Sequence, residues 1–399
     1  MKKDIKVVIM GLGYIGLPTA ALIASKKICV HGVDVEENVI ETINQGKIHI
    51  IEPDLDGLVN NVVGNGFLIA DTTPINADVF LIAVPTPLND NFEPDISYVE
   101  SAIKRIIPYL RKGNLVIIES TCPIGTTSKM SEIIFSNMPE LRNNINIAYC
   151  PERVLPGQVI YELTHNDRII GGLDEKSAKV AMSFYNIFVK GDLHTTNAKT
   201  AEMCKLVENA YRDVNIAFVN ELSIIADKAH INIWELIDLA SKHPRVDIMQ
   251  PGCGVGGHCI AVDPWFLISD FKDDSKIIKT AREININKTE WVLAKIVEKL
   301  SKFDKTRVVV ACMGLAYKPD IDDLRESSAL KICRKLISED YNVLTVEPNI
   351  DALDGFELVD YEEALERADV IIFLVKHREF RNYTLVPDKV VLDFCGVVK

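Results

Sequence analysis

Between Val7 and Asp34 the chain spells out one βαβ unit, and that unit limits what the rest can fold into. A short apolar run, Val7 to Met10, leads straight into Gly-Leu-Gly-Tyr-Ile-Gly, then a helical stretch, then a second apolar run, Val30 to Val33, that closes on an acid. Gly11, Gly13 and Gly16 fall where a tight turn, close approach of backbone to a ligand, and packing of helix on strand each exclude a side chain. The helix starting near Ile15 aims its positive end out of this turn, toward an anion. Asp34 stands about twenty residues on, where a carboxylate accepts hydrogen bonds from ribose hydroxyls. The glycines alone are also compatible with an ordinary turn in a sheet protein. With the strand before them and the acid after them they predict a dinucleotide site, and one for NAD. A 2′-phosphate beside Asp34 would be repelled, and no Arg follows at once to compensate.

The same rhythm continues. Apolar runs at Val79 to Val84, Leu115 to Glu119 and Ile145 to Tyr149 alternate with helical stretches as far as about Phe188, which predicts a parallel sheet with crossover helices. From Asn197 to Ala229 there is no Gly or Pro, and Ala, Glu, Lys and Leu are frequent, so one extended helix is expected. Helical pattern returns through Trp234 and from Lys276 to Leu300, on either side of a loop holding Pro251, Gly252, Gly254, Gly256 and Gly257. A second α/β rhythm opens at Arg307 with Val308, Val309 and Val310, passes a helix near Ala329 to Ile337, and has strands near Val343 to Val346 and Val370 to Leu374. The expectation is an α/β chain with two Rossmann-like doubly wound domains, 1–196 and 301–399, joined by a long central helix and helical region over 197–300. At the first turn of the second domain, Met-Gly-Leu-Ala-Tyr-Lys-Pro keeps one Gly and adds Lys318. That suits a phosphate ligand and not a second dinucleotide.

Composition narrows the partners. A chain of 399 residues with a net charge of −13 lacks the Lys and Arg excess that nucleic-acid or anionic-membrane binding requires. No apolar run approaches the roughly 20 residues of a membrane helix. Met1 to Lys6 is polar and leads directly into a strand, and the nine cysteines are odd in number and scattered, so a reducing cytoplasm is expected.

One of those cysteines is set apart. In Pro-Gly-Cys-Gly-Val-Gly-Gly-His-Cys-Ile-Ala-Val-Asp-Pro, Cys259 sits in glycine-rich backbone beside His258 and Asp263, which leaves room for a substrate to reach the sulfur and reads as a nucleophile. Nothing distinguishes Cys253. Metal binding by Cys253, His258 and Cys259 is disfavoured because the paired spacing of a structural zinc site is missing, so no metal is expected. On the long helix Lys205, Asn209 and Arg212 fall at i, i+4 and i+7 and share one face, either a solvated face or a cationic, amide-lined stripe.

At these residues the chain resembles the UDP-glucose/GDP-mannose dehydrogenase family, most nearly its members acting on UDP-N-acetyl-mannosamine. The carriers are the turn at Gly11, Val-Pro-Thr-Pro at Val84, Glu-Ser-Thr-Cys-Pro at Glu119, Tyr-Cys-Pro-Glu-Arg-Val at Tyr149, Thr-Ala-Glu-Met-Cys-Lys at Thr200, His-Pro-Arg-Val at His243, Gly-Val-Gly-Gly-His-Cys at Gly254 and Lys-Pro-Asp-Ile-Asp-Asp at Lys318. The resemblance implies a four-electron oxidation with two NAD reduced in turn, and Cys259 holding the half-oxidised sugar as thiohemiacetal and then thioester. It also implies roles. Lys205 and Asn209 would stabilise the anionic oxygen, and Asp263, Thr121 and Glu152 would organise water. Tyr14, Ile15, Thr86, Thr121 and Arg325 would contact NAD. Arg153, Val154, Arg212, His243, Arg245, Gly256, Tyr317 and Lys318, with Lys205 and Asn209, would contact the UDP-sugar, and the long helix would pair two subunits as a homodimer.

Two positions depart from the family. Leu155, Pro156 and Gly157 stand where glucose-oxidising members carry a second acid, and Cys395 stands where a substrate-contacting Lys is usual. The missing acid favours the N-acetyl-mannosamine branch, and UDP-N-acetyl-glucosamine and UDP-glucose stay open as alternatives because pocket shape, which sequence does not display, decides a single epimeric hydroxyl. From other classes, a two-electron 3-hydroxyacid dehydrogenase leaves Cys259 and the second α/β domain without a purpose, and a silent UDP-sugar binder leaves the reactive residues without one.

Overall fold

The computed structural model describes residues 5–155, 157–385 and 387–398, so Pro156 lies outside the described residues. The chain divides into two compact units, Met1–Val207 and Glu208–Lys399.

The first unit carries strands β1 (Lys6–Met10), β2 (Cys29–Val33), β3 (Leu68–Asp71), β4 (Val79–Ile82), β5 (Leu115–Ile118), β6 (Asn146–Tyr149), β7 (Arg168–Gly172) and β8 (Leu193–Asn197). Its helices are α1 (Gly16–Ala24), α2 (Glu37–Asn44), α3 (Leu55–Gly64), α4 (Ser97–Ile106), α5 (Thr126–Asn137), α6 (Val159–His165) and α7 (Glu175–Tyr185). The strands form one sheet in the order β3-β2-β1-β4-β5-β6-β7-β8. Because helices cover both faces, the central strands β1, β4, β5 and β6 are almost wholly apolar, the exceptions being Lys6 and Asn146 at the starts of β1 and β6. In β1, Val7 and Ile9 enter one core while Val8 and Met10 enter the other. The strand order reverses between β1 and β4, so the crevice at their carboxyl ends is the natural ligand position.

The sheet is not wholly parallel, which corrects the sequence expectation. β7 runs antiparallel to β6, with Tyr149 opposite Gly171, and β8 then pairs parallel to β7. An antiparallel neighbour needs no crossover, and the short α6 suffices to turn the chain.

Helix α8 (Ala198–Ala229) is as long as the sequence implies, and the division between the units falls within it. The second unit continues with α9 (Ile233–Ala240), α10 (Asp263–Asp270) and α11 (Lys276–Leu300). Then come β9 (Val309–Met313), α12 (Ser328–Ser338), β10 (Asn342–Val346), α13 (Tyr361–Arg367), β11 (Val370–Phe373) and β12 (Val390–Asp393). The four strands form a parallel sheet in the order β10-β9-β11-β12. Here too the first strand is buried on both sides, Val310 and Cys312 facing one core and Ala311 and Met313 the other.

Candidate active site

In the first unit the turn after β1 has the shape of a phosphate cradle. Gly11 has a φ of +92°, and a Cβ there would lie 2.6 Å from the Ala83 carbonyl oxygen; one at Gly16 would lie 1.8 Å from the Gly11 carbonyl oxygen. These two glycines let β1, α1 and the end of β4 close on one another. At Gly13 a Cβ would meet nothing within 4 Å, so backbone there borders open space. Asp34 accepts the Leu12 N–H on Oδ2 at 2.8 Å and the Val35 N–H on Oδ1 at 2.7 Å. That fixes its half-buried carboxylate beside the turn with lone pairs left for ribose hydroxyls. The residues fit NAD. Tyr14 is exposed on the same turn, and Ile15 is the residue before α1. Thr86 and Thr121 follow β4 and β5, half-buried, at the carboxyl ends of the strands.

After β6 come Glu152, Arg153 and Val154. The buried Lys205 of α8 has its Nζ 3.7 Å from Glu152 Oε2, so an ammonium and a carboxylate that are far apart in sequence meet out of water. Arg153 donates to the Asp167 carbonyl at 3.1 Å. Two acids not singled out in the sequence hold the local backbone. Glu52 accepts the Gly157 and Val159 N–H groups at 2.9 and 2.7 Å and so restrains the loop after Glu152. Glu202, one turn before Lys205, accepts from the Gly125 and Thr127 N–H groups and the Thr127 hydroxyl at 2.6 to 2.7 Å, fastening α8 to the start of α5. Burial raises the Glu202 carboxyl despite these donors. Behind β6 lies an enclosed cluster in which Tyr185 donates to Glu119 at 2.6 Å, and burial pushes the Glu119 carboxyl up although Arg168 is near.

In the second unit the Cys259 loop is tied to α8. Asn209 donates its amide to Asp263 Oδ2 at 2.6 Å, and the Asp263 N–H donates to the Cys259 carbonyl at 2.8 Å. Asp263 opens α10 and is buried, while Cys259 is half-buried. The glycines before it are needed for packing. A Cβ at Gly256 would lie 2.6 Å from Tyr317 Cβ, and Gly257, at φ +80°, has the Tyr317 ring 2.9 Å from its Cβ position. The Gly257 N–H donates to the Arg325 carbonyl at 2.8 Å. Burial, reinforced by the charges of Asp323 and Cys259, pushes the Tyr317 hydroxyl up to about 12. Burial opposes ionisation of Asp323, but the forked hydrogen bonds of Arg325, at 2.6 and 3.0 Å, outweigh it and hold that carboxyl low. Arg212 is exposed on α8. His243 and Arg245 are exposed in the segment after α9, where Arg245 borders a 400 Å³ recess with Tyr211 and Phe218.

A polar spine that the sequence hides sets this loop. Arg282 of α11 pairs with Asp213 of α8 at 3.0 Å, both fully buried, and also donates to the Ile260 carbonyl at 3.0 Å, next to Cys259. Asn285 donates to Asp213 Oδ1 at 2.7 Å and accepts from Asn220 at 2.9 Å; Asn220 in turn accepts the Gly252 N–H at 3.0 Å. Both ends of the glycine-rich loop thus hang from charged and amide groups inside the helical region.

Beside the loop lies a cavity of about 730 Å³ at the carboxyl ends of β9 and β11. It is lined by Gly256, Tyr317, Lys318, Ser328, Trp234, Lys376 and Cys395, among others. No lysine stands at position 395, but Lys376 brings an ammonium to the same wall, donating to the Gly396 carbonyl. The second Rossmann-like turn is closed to a dinucleotide. Glu347, at the end of β10 where Asp34 stands after β2, accepts from the Leu315 and Ala316 N–H groups, Asn349 and the buried His377. Its oxygens are occupied by protein.

Sequence models of three domains match the chain: the NAD binding domain of the UDP-glucose/GDP-mannose dehydrogenase family over residues 5–189, its central domain over 199–287 and its UDP binding domain over 311–399. The chain belongs to this family. It is an NAD-dependent UDP-sugar dehydrogenase. Among its relatives, UDP-N-acetyl-D-mannosamine dehydrogenase of Campylobacter jejuni is 55% identical over 407 residues, covering 98% of this chain and 99% of the relative. NDP-N-acetyl-D-galactosaminuronic acid dehydrogenase of Ralstonia nicotianae is 49% identical, covering 98% and 95%. The solved structure of UDP-D-ManNAc dehydrogenase from Pyrococcus horikoshii superposes with a TM-score of 0.90 at 40% identity, covering 99% of this chain and 96% of that one. Among the described residues no helix is long and apolar enough to cross a membrane.

Proposed function

We propose that the dehydrogenase oxidises UDP-N-acetyl-D-mannosamine at carbon 6 to UDP-N-acetyl-D-mannosaminuronate, in two two-electron steps with Cys259 as covalent nucleophile. The observation that carries this reading is the hydrogen-bonded cluster of Asn209, Asp263 and the Cys259 carbonyl, which joins a thiol loop to the helix bearing Lys205. A dehydrogenase that stopped at the aldehyde would need no thiol in that company.

NAD, when bound by the Gly11 to Gly16 turn and Asp34, supplies the hydride acceptor in each oxidation. The chain's own residues do the rest. Lys205, once it has passed a proton to the neighbouring Glu152, takes as a free amine the proton released when the alcohol becomes an aldehyde. The Cys259 thiolate then adds to the carbonyl carbon, and the oxygen, gaining negative charge, is met by the Lys205 ammonium and the Asn209 amide. That alkoxide gives up a second hydride and becomes a thioester. Water, oriented by Asp263 with Glu152 and Thr121, adds to that carbon, the carbon–sulfur bond breaks, and the acid leaves as the thiol is regenerated. The UDP portion occupies the cavity beside Tyr317 and Lys318, and its sugar reaches Arg153, Val154, Arg212 and Gly256. Tyr14, Ile15, Thr86, Thr121 and Arg325 would help hold NAD.

The enzyme works as a homodimer in the cytoplasm, paired through α8. Tyr211, Phe218 and Ile225 recur every seven residues on its exposed face, a stripe of apolar surface suited to a second copy. Arg245 and His243, beside that stripe, serve the partner's substrate. Purified enzyme given the UDP derivatives of N-acetyl-mannosamine, N-acetyl-glucosamine, N-acetyl-galactosamine and glucose should turn over the first fastest and form two NADH per sugar. Preference for another sugar would overturn the substrate; one NADH per sugar with released aldehyde would overturn the chemistry.

A further inference from the structure

The 730 Å³ cavity has two ammonium groups on its walls, Lys318 from the turn after β9 and Lys376 from the turn after β11. β9 and β11 are hydrogen-bonded neighbours, Phe373 opposite Met313, so both lysines rise from adjacent strand ends. Neighbouring parallel strands lie about 4.8 Å apart, a spacing that two linked phosphates can bridge. Neither lysine has a carboxylate partner among the described residues, although the chain carries 57 acids against 44 Lys and Arg. Both are half-buried. A half-buried ammonium without a counter-charge loses hydration for little return, unless an anion comes to it.

Its surroundings hold Lys376 in place. Its Nζ donates to the Gly396 carbonyl. Gly396 has a φ of +80° and Trp234 3.0 Å from its Cβ position, so this strand end admits no side chain. Asp393 pins the segment by accepting the Cys395, Gly396 and Val398 N–H groups at 2.7 to 3.0 Å. Across the cavity, Ser328 and Ala329 open α12, whose N-terminus adds favourable potential for an anion. Glu235 and Asp238 also line the cavity, where they can accept hydrogen bonds from hydroxyl groups of the ligand.

We propose that Lys376 binds the diphosphate of the nucleotide, closing on it opposite Lys318. The assignment rests on the proposed UDP-sugar occupancy of this cavity and adds a recognition residue to it. Calorimetric titration of the full-length enzyme with UDP and with uridine separates the alternatives. Lys376→Ala should raise the UDP dissociation constant about tenfold or more, since hydrogen bonds to charged groups are the strong ones, and leave uridine binding unchanged. Lys376→Arg should recover most of the loss, and Lys376→Met should behave as Ala. NAD binding and the melting temperature, which report folding, should stay at their wild-type values in all three. Unchanged UDP affinity in Lys376→Ala, or equal weakening of UDP and uridine, would overturn the assignment. If the wild-type enzyme itself failed to bind UDP, the occupancy of the cavity would be wrong, an outcome distinct from the failure of Lys376 alone.

Discussion

Replacing Arg282 by Met keeps the bulk of the side chain and removes its charge, which leaves Asp213 fully enclosed with Asn285 as its one side-chain hydrogen-bonding partner among the described residues. Burial already raises the Asp213 carboxyl to about 6, with Arg282 and Asn285 pulling against it. Loss of Arg282 raises it further. Breaking a buried pair from one side costs about 3–5 kcal/mol, because a desolvated charge remains. For a unit of roughly 200 residues, 1 kcal/mol moves the melting temperature by about 2–4 °C, so Arg282→Met should melt about 6–20 °C lower at pH 8. The sign of the pH effect follows from the direction of the shift. A carboxyl whose folded pKa lies above its unfolded value holds its proton more tightly when folded, so stability falls as pH rises through that range and stays low above it. At pH 5 the variant's Asp213 is protonated and most of the deficit should vanish. Differential scanning fluorimetry at pH 5 and pH 8 measures both, and adding Asp213→Asn should restore stability at pH 8. An equal loss at the two pH values, or no recovery in the double variant, would show that the pair's charge is not what holds the Cys259 loop.

The glycines after β1 should separate folding from binding: Gly16→Ala, which meets a backbone oxygen, should lose stability severely, while Gly13→Ala should melt normally and bind NAD more weakly by fluorescence titration. Burial works against the Glu347 carboxylate, but His377 and the Leu315 and Ala316 N–H groups outweigh it and hold the carboxyl at about 2. Its stabilisation is complete above about pH 4.5 and is lost as pH falls toward 2, worth about 3 kcal/mol, so acid unfolding of Glu347→Gln should depend less steeply on pH across that window. Asn209→Asp sets a carboxylate against Asp263 Oδ2, where an amide now donates at 2.6 Å. Its kcat should fall by about 100-fold or more, and its melting deficit should be larger at pH 8 than at pH 5.

Much of the fold was legible because strands buried on both faces are continuous apolar runs. β1, β2, β4, β5 and β6 announce themselves in Val and Ile, and the absence of Gly and Pro marks α8. Four strands were missed, β3, β7, β8 and β12, and three of them, β3, β8 and β12, lie at sheet edges. β8 lies at the sheet edge and reads Leu-His-Thr-Thr-Asn, and β7 ends in two glycines because the Asn197 carbonyl and Asp174 carbonyl leave no room for Cβ atoms. α10 had an available signal in Asp263-Pro264, since Pro at the first turn favours a helix start. The spine had none: Asp213, Arg282 and Asn285 are polar residues on buried helix faces, and periodicity assigns such residues to solvent. The first α/β turn, with Gly11, Gly13, Gly16 and Asp34, carried its meaning in spacing alone. The pairing of Asn209 with Asp263 spans 54 residues and becomes visible only when α8 and α10 are folded together.

Rapid quenching of the enzyme during turnover of UDP-N-acetyl-D-mannosamine, followed by peptide mass spectrometry, tests covalent catalysis most directly. Covalent catalysis requires a sugar-nucleotide adduct at the acid oxidation level on the peptide containing Cys259, and neither adduct nor uronic acid from Cys259→Ala. Undiminished acid formation by Cys259→Ala would contradict it.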